Sequence, residues 1–120
     1  MTEQQPAGHV RGILIPVDPA EPVVVGAVDA SPAGRWAAVG GAQPEVLSLD
    51  GQGTMMMMDG YGKVKQLPRN GRATALADAM RPGFASHDFI AGPALVTGCD
   101  PESGGSADVS DDVVRLVRKG

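Results

Sequence analysis

The chain has 120 residues, enough for one domain with a buried core, and its shares of hydrophobic (42%) and charged (20%) residues are those of a folded globular protein. Four aromatic residues are too few for a surface that stacks single-stranded nucleic acid, and one cysteine excludes an intrachain disulfide and a cysteine-based zinc site. The net charge of −4 is unevenly placed, because residues 59–81 carry +3 and the rest −7, a pattern that indicates either a local anion site or an ordinary solvated surface strand.

The first half of the chain alternates β-branched runs with turn residues. We expect residues 1–9 to form a flexible tail and residues 10–120 to form a single domain. Aliphatic and β-branched runs predict strands at residues 10–17, 23–28 and 45–49. Ser31 followed by Pro32 predicts the start of a short helix at residues 33–39, which the next two glycines end.

Four consecutive methionines, Met55–Met58, predict a strand whose side chains fill the core. Successive residues of a strand point to opposite faces, so only two of the four could meet one metal ion, and copper binding is disfavoured. Asp59-Gly60 predicts a hairpin turn, with Gly62–Leu67 returning as the antiparallel partner. In that strand Lys63 and Lys65 would share the solvent face.

The second half predicts two helices around one strand. We expect a helix at residues 71–80, with Asn70 as its N-cap and an apolar stripe that faces the core. Residues 89–98 predict a strand, in which Pro93 requires an edge, a bulge or a break. After a loop at residues 100–108, Ser110 is expected to cap a C-terminal helix. The apolar stripe of that helix consists of Val113, Val114 and Val117.

These elements predict an α+β fold, with a small mixed or mostly antiparallel sheet and three short helices packed on it. Few connections have the dozen residues that a parallel crossover needs, which favours antiparallel pairing. We expect the helices to lie on one face of the sheet.

The start of the helix at residues 71–80 is the candidate binding site. A helix N-terminus exposes unpaired N–H groups and partial positive charge, so acidic residues are favoured there. Two arginines flank it instead, and a bound anion such as a nucleotide would account for them, with Gly71 letting the backbone approach it. The candidate ligand-binding residues are Lys65, Arg69, Asn70, Arg72 and Thr74. In the alternative interpretation Asn70 only caps the helix, and Arg72 pairs with an acidic residue of the chain.

No group of residues with a catalytic or metal-binding pattern is recognisable. Ser86, His87 and Asp88 are neighbours in sequence and seldom converge as a triad, and the two histidines lack the spacing of a zinc site. We therefore expect no catalytic residue, no metal and no cofactor. A small hydrolase or transferase that uses His87 and Asp88 is kept as an alternative.

Two motifs resemble the signature of a known family. They are Lys65-x-Leu67-Pro68-x-Asn70-x-Arg72-Ala73-Thr74-Ala75-Leu76 and Ile90-x-Gly92-Pro93-Ala94-Leu95-Val96-x-Gly98. The family is uncharacterised, occurs in bacteriophages, plasmids and bacteria, and carries a domain of unknown function numbered 3846. The resemblance covers the chain from about Gly12 onward and implies a small, freestanding accessory protein, often encoded by a mobile element. Gly71 and a longer connection after Met80 depart from the pattern outside its motif residues.

The sequence therefore predicts a non-enzymatic accessory binding protein of phage or mobile-element type, whose partner is a small anionic ligand or an acidic surface of a host protein. The alternative is a protein–protein interaction module, in one form a homodimer, that acts on a host factor. We expect no membrane partner, because no apolar run reaches about 20 residues, and the net charge disfavours nucleic acid. Without a signal-peptide pattern the expected location is the cytoplasm, that of the host cell if the gene belongs to a phage.

Overall fold

A computed structural model describes residues 8–40, 43–51, 53–100, 102–103 and 105–119, without the side chains of residues 32, 36 and 119. The strands are β1 (His9–Ile15), β2 (Val24–Asp29), β3 (Pro44–Ser48), β4 (Thr54–Asp59), β5 (Ala94–Cys99) and β6 (Ser106–Ala107). The helices are α1 (Pro32–Val39), α2 (Gly71–Met80) and α3 (Asp111–Lys119), with one 3₁₀ turn at Phe84–Ser86. Most of the predicted tail, residues 1–7, lies outside the described residues, whereas His9 already belongs to β1. In the described residues no helix has the length and apolar character to cross a bilayer.

The strands form one sheet in the order β2-β1-β5-β4-β3, and β6 pairs with the end of β5. Each strand pair in the described residues is antiparallel. β1 with β2 and β3 with β4 are neighbours in sequence, and β5 joins these two pairs by entering between β1 and β4. The predicted α+β class is confirmed.

Both faces of this sheet are buried at its central strands β4 and β5. In β4, Met56 and Met58 point to the face covered by α2 and α3, whereas Met55 and Met57 point to the face covered by α1. The prediction that all helices share one face is therefore wrong. The second face carries apolar side chains of β4 and β5, so it needs a cover of its own, and Val39 of α1 packs there.

The strand predicted at Gly62–Leu67 is also wrong. This segment forms successive turns, in which the Lys65 N–H donates to the Tyr61 carbonyl (2.8 Å) and the Leu67 N–H donates to the Gly62 carbonyl (2.9 Å). The physical reason lies in β4, which already pairs with β3 on one side and β5 on the other. No edge of β4 is left for a hairpin partner.

The remaining elements lie close to their predicted positions. The strand predicted at residues 89–98 begins only at Ala94, because the chain turns before it at Gly92, whose φ is +82°. In the predicted loop after it, two residues form the short strand β6. Ser110 accepts a hydrogen bond from the Val113 N–H (3.3 Å) at the start of α3, as predicted for its cap.

Candidate functional site

Asn70 is fully buried and fixes the start of α2. Its Oδ1 accepts a hydrogen bond from the Ala73 N–H (3.0 Å), which is the role of an N-cap. Its Nδ2 donates to the carbonyl oxygens of Ile15 (2.9 Å) and Gly92 (3.1 Å). The side chain thus connects α2 to the end of β1 and to the turn before β5.

Thr74 strengthens the same connection one turn into α2. Its Oγ1 donates to the Asn70 carbonyl (2.8 Å) and accepts from the Ile90 N–H (2.9 Å). The Asn70 N–H donates in turn to the Ile90 carbonyl (2.8 Å). The loop before β5 is therefore held against the first turn of the helix.

Arg72 reaches from α2 to the loop after β1. Its Nη2 donates to the carbonyl oxygens of Pro16 and Asp18, each at 2.9 Å. Its Nε is buried and has no hydrogen-bond partner in the described part of the chain. The ion pairs found between described residues include none with Arg72, so its positive charge is not balanced by a carboxylate there.

Arg69, two residues before the start of α2, packs its guanidinium against the ring of Phe89. Its guanidinium carbon lies 3.9 Å from the centre of the Phe89 ring, and the Lys63 Nζ lies 4.7 Å from the same point. Lys63 also pairs with the Asp88 carboxylate, whose pKa is lowered mainly by that hydrogen bond. Arg69 has no carboxylate partner among the described residues.

Lys65 belongs to a different contact. Its Nζ lies 2.7 Å from Oδ2 of Asp59, a buried residue at the end of β4. The hydrogen bond from Lys65, followed by one from the Tyr61 N–H, lowers the pKa of Asp59, although burial opposes this shift. The charge of Lys65 is therefore balanced within the chain.

Two hollows meet at Gly71, the first residue of α2. The α2–α3 groove has a volume of about 520 Å³ and is lined by Gly71, Arg72, Ala75, Leu76, Ala79, Leu116 and Val117. The Phe89 hollow, of about 450 Å³, lies on the other side of Gly71 and is lined in part by Arg69, Thr74, Asp78 and Phe89. A side-chain carbon at Gly71 would meet nothing within 4 Å, so the backbone is open to approach here.

The backbone at this point still has hydrogen-bonding capacity. The first N–H groups of any helix lack a partner within the helix. Asn70 caps the amide of Ala73, and the amide of Thr74 bonds to the Asn70 carbonyl (3.0 Å). The amides of Gly71 and Arg72 have no acceptor among the described residues. Gly71 lines both hollows, and Arg72 lines the α2–α3 groove.

The structure brings four of the five predicted residues together at the start of α2, namely Arg69, Asn70, Arg72 and Thr74, and places Lys65 on Asp59. A ligand-binding role for each of them stays a prediction. Sequence reasoning missed Phe89 and the contribution of α3 to the groove. A usable indication in the sequence was Leu116, an apolar residue of the C-terminal helix that lies outside its predicted stripe.

The alternative catalytic residues point to different partners. Asp88 binds Lys63 and the Phe89 N–H (2.8 Å). His87 is exposed, and its Nδ1 lies 3.3 Å from the Ser86 Oγ. Neither residue lines the α2–α3 groove.

Comparison with known proteins yields one family. The model of a family described as "Domain of unknown function (DUF3846)" matches residues 11–120, a range that runs from β1 to the end of the chain and includes every residue lining the two hollows. No curated protein and no solved structure matches the chain.

Proposed function

The chain belongs to the family of the domain of unknown function DUF3846, and we propose that it is a non-enzymatic binding protein for a small organic anion with an aliphatic body. The anionic group binds at the start of α2, and the aliphatic body lies in the α2–α3 groove. The observation that carries this proposal is the composition of the groove, which is aliphatic along its length and positively charged where it meets Gly71 and Arg72.

The charged end supports binding of a carboxylate or a phosphate group. The amides of Gly71 and Arg72 are free donors at the positive end of the α2 dipole. Arg72, which lines the groove, adds a positive charge without a carboxylate partner in the described residues. A helix of ten residues has enough aligned peptide groups for this dipole to act on an anion at its first turn.

The apolar part favours an aliphatic chain over a nucleobase. Ala75, Ala79 and Leu116 line the groove together with Leu76 and Val117, and no aromatic ring is among them. A nucleotide would leave its base without a stacking partner there, so a nucleotide fits less well than an acid with a hydrocarbon body. The volume of about 520 Å³ lies within the usual range for small-molecule sites.

The five residues predicted from the sequence have different roles in this proposal. Arg72 contacts the anion, and Arg69 raises the local positive potential from the far side of Gly71. Asn70 and Thr74 hold the helix start in place through their buried hydrogen bonds. Lys65 acts through Asp59 on the turns that lead to the helix.

The experiment is a titration with octanoate, followed by ¹H–¹⁵N NMR. Octanol supplies the same body without charge, and inorganic phosphate supplies charge without the body. We expect octanoate to shift the amides of Gly71, Arg72 and Leu116 with saturation, and the other two compounds to shift them far less. Leu116→Glu should abolish this binding, because it places a carboxylate in the groove.

Val64→Glu is the matched control, because Val64 is 82% exposed and lies outside the groove. Its octanoate binding should equal that of the parent protein. The proposal fails if octanoate produces no saturable shift at Gly71 and Arg72. It also fails if the shifts persist unchanged in Leu116→Glu.

A second candidate function rests on Arg69. With Lys63 it flanks the Phe89 ring and presents a charge that no described carboxylate balances, which favours docking of an acidic protein surface. Anisotropy of a labelled glutamate-rich peptide tests this. Arg69→Ala should weaken peptide binding at low salt much more than it weakens octanoate binding, because Arg69 does not line the α2–α3 groove. Equal peptide affinity of the variant and the parent would contradict this docking role.

We further propose that this binding serves an accessory protein of a phage or other mobile element in the cytoplasm of its host cell. The support is that the chain belongs to this family. The resemblance of its two motifs to the family is also the basis on which we expected a phage or other mobile element. Fractionation of cells that express the tagged protein tests the location, and recovery outside the cytoplasmic fraction would contradict it.

A further inference from the structure

The two edges of the sheet differ in how they are protected against pairing. β3, at one edge, begins with Pro44 and carries Glu45, and both features discourage a further strand. β2, at the other edge, has neither a proline nor a charge until its last residue, Asp29. An edge strand without such protection is a surface on which another strand can pair.

Hydrogen bonds of β1 define which groups of β2 face outward. Arg11 turns its backbone away from β2, because its N–H donates to the Asp108 carboxylate (2.7 Å) and its carbonyl accepts from the Val109 N–H (2.9 Å). Ala27 is the register partner of Arg11, so its N–H and C=O also face away from β1. Alternate residues behave alike, and Val25 and Asp29 therefore share this direction.

These outward groups have no hydrogen-bond partner among the described residues. They are evenly spaced, with Ala27 at the centre and Val25 and Asp29 two residues away on either side. Such a pattern is complementary to itself when a second, identical strand runs in the opposite direction.

We propose that β2 pairs with β2 of a second copy of the chain, antiparallel about a two-fold axis at Ala27. Ala27 then faces the same residue of the second copy, and Val25 faces Asp29 of the second copy. The three hydrogen-bonded pairs exchange about six hydrogen bonds. The two Asp29 carboxylates are separated by roughly 13 Å along the strands, which exceeds the screening length of about 8 Å at physiological salt.

The side chains of β2 suit this register. Ala27 is exposed and small, so two copies can face each other across the axis. Gly26 has open space on the side where a side-chain carbon would be, and it faces Val28 of the second copy. Val24 is 53% exposed and would lose part of that exposure in the paired sheet. The β2 edge is therefore a dimerisation surface, independent of the groove between α2 and α3.

Sedimentation equilibrium between about 10 μM and 1 mM measures the association. We expect the parent protein to form a dimer within this range. Ala27→Lys should weaken the dimer at least about tenfold, because it places two ammonium groups opposite each other. Val46→Lys, at an exposed position on the β3 edge, should leave the association unchanged. Thermal unfolding of each variant confirms that its fold is intact.

In the proposed dimer, residue 27 of one copy faces residue 27 of the other. Mixing two variants of opposite charge at this position is therefore the most selective test of the proposed register. Ala27→Lys and Ala27→Glu should each be monomeric alone and should associate with each other when mixed. A parent protein that is monomeric at about 1 mM would overturn the proposal. So would a dimer that Ala27→Lys leaves intact, or two monomeric variants that fail to associate on mixing.

Discussion

At the scale of single residues, Asn70 is the position where local and tertiary contacts coincide. Replacing it with alanine removes the cap on Ala73 and the side-chain hydrogen bonds to the buried carbonyl oxygens of Ile15 and Gly92. We expect Asn70→Ala to lower the free energy of unfolding by about 3 kcal/mol, the sum of a lost cap and two lost buried hydrogen bonds. Urea denaturation measures this, with Arg69→Ala as an exposed control that should cost less than about 1 kcal/mol. A loss for Asn70→Ala as small as the control would contradict the structural role.

Asp59 makes the stability of the protein depend on pH. Its pKa is lowered in the folded state, chiefly by Lys65, so its contribution is present above the unfolded value of 3.8 and is lost as the pH falls through the lower, folded value. We expect Asp59→Asn to be less stable than the parent at pH 7, and the difference to shrink below about pH 4. Denaturant melts across this range give the measurement. The exposed Glu102→Gln is the control, and a difference for Asp59→Asn that stays constant down to pH 2 would contradict the assignment.

At the scale of elements, β4 explains why the sheet needs a cover on each face. Met56 and Met57 are adjacent and both are buried, but Met56 packs in the core beneath α2 and α3, and Met57 packs beneath α1. We expect Met56→Ala and Met57→Ala each to cost about 2–4 kcal/mol, because each leaves a cavity in its own core. Thermal or urea unfolding of both variants tests this. A sheet with one solvated face would tolerate one of the two changes.

The sequence predicted those elements of the fold whose formation depends on contacts between residues close together in the chain. The hydroxyl of Ser110, the amide of Asn70 and the run of four methionines act through neighbours in the chain, and they predicted two helix starts and a buried strand. The error at Gly62–Leu67 arose because hairpin formation depends on a free strand edge. β4 lost that edge to β5, which lies more than thirty residues further along the chain.

The same distinction separates the predicted from the unpredicted parts of the site. Asn70 and Thr74 were found because a helix start has a local pattern, but their bonds to Ile15, Gly92 and Ile90 depend on how β1 and β5 meet. The α2–α3 groove was beyond reach for the same reason. The side chains that line it come from two helices separated by the whole of β5, and only packing brings them together.

At the scale of the whole molecule, α3 closes the core that the earlier elements leave open. Val113 and Val114 are buried against the sheet and α2. Arg11 of β1 donates to the Val109 carbonyl just before α3 and pairs with Asp111, the first residue of α3. The last element of the chain is therefore joined to the first strand. Full burial of the two valines stabilises the fold by about 3–6 kcal/mol, which is close to the total stability of many small domains.

We therefore expect that ending the chain after Val109 abolishes cooperative unfolding, because it exposes the apolar surface of α2 and the sheet that α3 covers. Ending it after Val117 is the matched control, since this shorter deletion keeps both buried valines and the Arg11 contacts, and it should retain a sharp thermal transition. Differential scanning calorimetry of both variants gives the measurement. If the chain ending at Val109 unfolds with the same midpoint and enthalpy as the chain ending at Val117, the prediction is wrong. The core would then be complete without α3, and the packing of α3 on α2 would not stabilise the fold.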